Sequence, residues 1–68
     1  MPLLVNDVVE KITDGIFSGE RFIITSFKSI SGNIHVTIKN VRDDNSEITL
    51  ALSAIADKNR FRVVKKFR

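Results

Sequence analysis

Nothing in this chain limits its possible folds as tightly as the stretch from Asn33 to Leu52, where apolar and polar side chains alternate on both sides of a short acidic interruption. Ile34, Val36 and Ile38 fall on one face of an extended segment, while His35, Thr37 and Lys39 take the other. That period of two is the mark of a strand with one dry side. Asp43-Asp44-Asn45-Ser46 has the composition of a tight turn, because short Asx and Ser side chains bond the local backbone. The alternation then resumes with Ile48, Leu50 and Leu52, so the second strand lays a matching apolar face beside the first. A two-stranded hairpin with six large aliphatic side chains on one side is not stable alone. The remaining residues must cover it.

With 68 residues there is room for one domain and no second core, so residues 1–68 are read as a single unit. A chain of this length buries roughly 60% of the surface its unfolded form exposes, which limits its stability to a few kcal/mol. It has no cysteine to staple it, which fits a reducing compartment. The opening Met1-Pro2-Leu3-Leu4-Val5-Asn6-Asp7 lacks the basic start and long apolar core of a secretory signal, and no window approaches the length of a membrane helix. The expectation is a cytoplasmic protein without a membrane partner.

Ahead of the central hairpin, Val8 to Ile12 reads as a first strand with Val9 inward. Thr13-Asp14-Gly15-Ile16-Phe17-Ser18-Gly19 reads as a loop, its two glycines free to take positive φ. Glu20 to Ile30 is a long strand with apolar groups on both faces: Phe22 and Ile24 on one, Ile23, Thr25 and Phe27 on the other. Such a strand must bend or change sheets near Thr25 or Ser26. Ser31-Gly32-Asn33 is the next turn. After Leu52 the small residues of Ser53 to Asn59 suit one helical turn capped by Ser53. Arg60-Phe61-Arg62-Val63-Val64 is a last strand with Phe61 and Val63 inward and both arginines outward.

Five strands, a glycine-containing loop after the first and one helical turn before the last resemble the SH3-like small β-barrels. The expected class is therefore all-β, a five-stranded SH3-like small β-barrel, in which closure of the sheet covers the hairpin and removes its edges. Three pieces carry a narrower likeness: Asn6-Asp7-Val8-Val9-Glu10, Gly19-Glu20-Arg21-Phe22-Ile23-Ile24 and Arg60-Phe61-Arg62-Val63-Val64. Together they resemble the barrel modules attached to DDE-type transposases and, more loosely, KOW and Tudor-type domains. The resemblance implies a binding module of nucleic-acid machinery and brings no catalytic residue with it.

The residues themselves offer little for catalysis. His35 is the only histidine, and without a cysteine or second histidine it makes neither a metal site nor a triad. Asp43 and Asp44, adjacent in a turn, diverge into water. Gly15 and Gly19 lack the Lys-Ser/Thr that follows a phosphate-binding loop. The expectation is a protein that is not an enzyme and has no cofactor or metal.

Charge carries the functional signal. Residues 1–57 hold five basic groups against eight acidic ones, whereas residues 58–68 hold six basic groups and no acid. If Arg60 and Arg62 share the outer face of a strand, they lie about 6 to 7 Å apart. Lys65, Lys66 and Arg68 extend that field into a basic end at residues 62–68. These five residues are the expected contacts to nucleic-acid phosphates, with DNA ahead of RNA or a protein of a nucleic-acid complex as partner. The alternative is a protein-interaction module, such as a small phage-type regulator binding a host protein through the 13–19 loop, with Ile16 and Phe17 as the contact. The chain has neither Trp nor Tyr, which argues against a polyproline groove.

Overall fold

The computed structural model describes residues 3–43 and 45–66. Five strands and one helical turn follow in the order β1 (Val8–Thr13), β2 (Ile16–Ile30), β3 (Asn33–Asn40), β4 (Glu47–Ala51), α1 (Leu52–Ile55) and β5 (Phe61–Lys65). All pairings are antiparallel, and the single sheet runs β4-β3-β2-β1-β5. The sheet is open. Its two edges, β4 and β5, are not hydrogen-bonded to one another.

The central hairpin forms in the register its alternation requires, with Val36 opposite Leu50 and Ile38 opposite Ile48. Its turn is held by local bonds: the Ser46 amide donates to the Asp43 carbonyl (3.0 Å) and the Asn45 amide to Asp43 Oδ1 (3.0 Å). The apolar face is covered unevenly. Val36 and Ile38 are buried, but Ile34 is 46% exposed and Ile48 44% exposed, because Ile34 lies beside the turn that joins β2 to β3 and Ile48 lies on an edge strand. Leu52 is not the last residue of β4 but the first of α1. Nor does Ser53 cap that helix. Ala51 occupies the N-cap position and no side chain caps it, so the turn is held mainly by the packing of buried Ile55.

β2 is longer than its sequence suggested and contains two irregularities of the sheet. Residues 13–19 are not a loop. Thr13 pairs with Ile16 across a two-residue turn whose central residues, Asp14 (φ 52°) and Gly15 (φ 76°), both lie in the left-handed region. That geometry matches the right-handed twist of the flanking strands, and Asp-Gly is among the dipeptides that adopt it most readily. Farther along, Ser18, Gly19 and Glu20 together stand opposite Lys11 alone, a bulge between the pairs Glu10–Arg21 and Ile12–Phe17. The second irregularity falls at Thr25: Ile24 faces Ile38 and Ser26 faces Thr37, so Thr25 is an extra residue. Its Oγ1 donates to the Thr37 carbonyl (3.1 Å). One inserted residue reverses the parity of the strand. Phe27 therefore packs on the same core as Phe22 and Ile24, rather than on the opposite face.

The core gathers Val9, Phe22, Ile24, Val36, Ile38, Ile55 and Phe61 into one cluster, with Leu3, Phe27, Leu50 and Leu52 packed against it. Phe22 and Phe61 meet edge to face, their ring centroids 6.5 Å apart. Val63, expected inward, is 43% exposed: it stands opposite buried Val9, but β5 is an edge and no strand among the described residues lies beyond it. Among the described residues no helix is long and apolar enough to cross a membrane.

Candidate functional site

β5 carries two of the residues that the charge distribution singles out, Arg62 and Lys65, with Arg60 just before it and Lys66 just after. It begins at Phe61, one residue after Arg60, and runs antiparallel to β1 with Lys11 opposite Phe61, Glu10 opposite Arg62, Val9 opposite Val63 and Val8 opposite Lys65. Val64 is left over as a bulge. This register brings basic side chains from the end of the chain onto acidic ones near its start.

Glu10 is almost fully buried, and both of its carboxylate oxygens are used. Oε1 accepts from Arg62 Nη2 (2.8 Å) and Nε (3.1 Å), and Oε2 accepts from the Gly19 amide (2.9 Å). Arg21 Nε lies 4.0 Å from Oε1. The Arg62 hydrogen bonds, helped by the Gly19 amide and the charges of Arg62 and Arg21, hold this carboxyl below its usual range against the opposing effect of burial. Gly19 presents its amide from a positive-φ conformation (82°), so the bulge and the carboxylate fix one another. Ser18 completes the arrangement: its hydroxyl donates to the Lys11 carbonyl (2.8 Å) and accepts from the Glu20 amide (3.1 Å).

The Arg62 guanidinium also lies over the Phe17 ring, 3.5 Å from its centroid, a cation–π contact. Phe17 therefore neither folds over the core nor stands free; one face of its ring carries Arg62, and the residue is 52% exposed. Its neighbour Ile16, beside the hairpin turn, is 70% exposed.

A second pair joins the chain ends. Lys66 Nζ donates to Asp7 Oδ2 (2.8 Å), and the same oxygen accepts from the Leu4 amide (3.0 Å). The Asp7 side chain is fully buried, so Lys66 supplies charge compensation where water cannot.

The five expected phosphate contacts thus divide. Arg62 and Lys66 are bound to internal carboxylates, Arg60 and Lys65 are exposed with no ion pair among the described residues, and Arg68 lies outside the described residues. Two further exposed cations adjoin them, Lys58 in the turn before β5 and Lys11 opposite Phe61. Alternation along the sequence had no means of revealing the roles of Asp7 and Glu10, which depend on β1 pairing with a strand about fifty residues away.

No set of three His, Cys, Asp or Glu side chains among the described residues is placed to hold a metal ion. His35 has Nδ1 at 3.1 Å from the Asn33 carbonyl, a local contact within β3. Compared with family models, curated proteins and solved structures, the chain matches none.

Proposed function

We propose that this protein is a non-catalytic binding module of nucleic-acid machinery, an SH3-like barrel that contacts phosphates along its last strand and the turn leading into it. The observation that supports this most directly is the exposed set Lys58, Arg60 and Lys65, which makes no ion pair among the described residues, at the chain's most basic end. Arg62 adds a guanidinium whose side chain is still partly exposed beside its bond to Glu10. Buried carboxylates take up the charge of Arg62 and Lys66, so phosphate attraction falls chiefly to the other three. The order of the strands and the single helical turn before β5 support the barrel reading.

The test is a salt titration of duplex DNA, single-stranded DNA and RNA binding, comparing the wild type with Lys58/Arg60/Lys65→Ala. Each lost phosphate contact should make the log–log salt slope shallower by about 0.9 for duplex and about 0.7 for single strands. The triple variant should therefore lose about 2 to 3 in slope while keeping its fold. Absence of binding by the wild type at low salt would refute the proposal.

A second reading draws on the exposure of Ile16 and Phe17 at the first hairpin tip. That tip suits a protein partner with an apolar contact, as a small regulator would use. Ile16→Ser is the cleaner test, because Phe17 also supports Arg62. Loss of capture of an identified partner with unchanged stability would favour this reading over phosphate binding.

A further inference from the structure

An open sheet leaves a seam between its edges. On the core side of that seam is a depression of about 170 Å³, with walls that include Ile12, Ile48, Leu50 and Phe61 and with the exposed cations Lys11 and Arg60. It thus draws on both free edges, β4 and β5. Past Phe61, the same edge strand borders a larger groove of about 510 Å³, where Leu3, Ile55 and Val63 supply apolar surface and Lys58 and Arg62 supply charge. Phe61 belongs to both.

Phe61 and Val63 are two residues apart on one strand, so their side chains are about 6.6 Å apart and project to the same side. An extended segment laid along β5 repeats at that spacing, so alternate side chains reach the two depressions. Each depression combines hydrocarbon walls with two cations, a chemistry that accepts an apolar side chain flanked by a carboxylate. A nucleobase fits poorly, because Phe22 and Phe61 in the walls are buried and leave almost no ring face for a base to stack on. A second copy pairing antiparallel to β5 about the midpoint of Val63 and Val64 would set Arg62 against Lys65, a like-charge arrangement.

We propose that the free edge of β5 is a docking site for an extended acidic segment of a partner protein, one that alternates apolar residues with Asp or Glu and inserts into the β4–β5 seam. The cations on this edge then serve two ends: they repel other basic strands and select an acidic one. This site shares Arg60 and Lys58 with the phosphate reading and differs from it in depending on the apolar seam and on Lys11 rather than on Lys65.

The test uses the full chain and three synthetic octapeptides, alternating leucine with glutamate, leucine with lysine, and serine with glutamate. Binding is followed by backbone amide NMR shifts and calorimetry. Only the leucine–glutamate peptide should bind, with shifts centred on Lys11, Ile48 and residues 60–63. Ile48→Ser should weaken it at least tenfold and leave the DNA salt slope unchanged, while Lys65→Ala should weaken DNA binding and spare the peptide. Lys11→Glu should also weaken the peptide at least tenfold. The proposal is overturned if the leucine–glutamate peptide fails to bind, if all three peptides bind alike, if the Ile48 and Lys11 changes have no effect, or if the protein self-associates through these same residues.

Discussion

Glu10 is a carboxylate that folding has made more acidic, and the direction of that change has a consequence for stability. Its ordinary value is 4.5, and the folded value lies below this chiefly because Arg62 donates two hydrogen bonds to it. The unfolded chain therefore takes up the proton first as pH falls. The stabilisation is fully present above the ordinary value and is lost as pH drops toward the folded one. Glu10→Gln should melt below the wild type at neutral pH, and the gap should narrow as pH is lowered to about 3. Thermal melts across that range check this; a constant gap would mean that shape, not charge, holds the latch. Gly15 offers a second residue-scale test. A Cβ there meets nothing within 4 Å, so Gly15→Ala meets no clash and costs only the left-handed backbone, about 1–2 kcal/mol in a urea titration.

At the scale of elements, β2 depends on one inserted residue. Thr25 lets Phe22, Ile24 and Phe27 all pack against one core although the last two are three positions apart, an odd step along the strand. Deleting Thr25 would restore a regular ladder and turn either Phe27 or the Phe22/Ile24 pair away from the core. The expected outcome is loss of cooperative unfolding in a circular dichroism melt. Thr25→Val keeps the extra residue and loses only the bond to the Thr37 carbonyl, so it should cost about 1 kcal/mol. That the strand is irregular near Thr25 was legible in the sequence, because apolar residues occupy both faces of Glu20 to Ile30, but the irregularity is an inserted residue within one sheet and not a change of sheet. The first hairpin was equally open to reading, since Asp14-Gly15 is a favoured two-residue turn, but the second glycine made the whole stretch resemble a loop. Gly19 instead serves the bulge that faces Glu10.

For the whole molecule, stability is concentrated in a small core. Ile38 is fully buried in the cluster and Ile48 is not, although they pair directly across β3 and β4. Ile38→Ala should cost about 2–5 kcal/mol, comparable with the entire stability of a domain this small, and leave much of the chain unfolded in a urea titration. Ile48→Ala should be much milder. Equal effects would mean that the seam is packed more tightly than its exposure indicates. The same contrast separates core from candidate interface, because Ile48, Lys11 and Arg60 border a depression that folding leaves unfilled.

Alternation from Ile34 onward determined the central hairpin and the face that Val36 and Ile38 bury, because side-chain parity is a local property of extended backbone. The excess of cations after Asp57 was equally plain in the sequence. Neither could say which strand lies beside which. Only the folded sheet placed Arg62 on Glu10 and Lys66 on Asp7, committing two cations to internal carboxylates, and left β4 and β5 as separate edges. The physical reason is that a strand's own pattern selects its buried face, whereas its hydrogen-bonded neighbour is chosen by contacts distant in the chain, and charge pairing follows the neighbour.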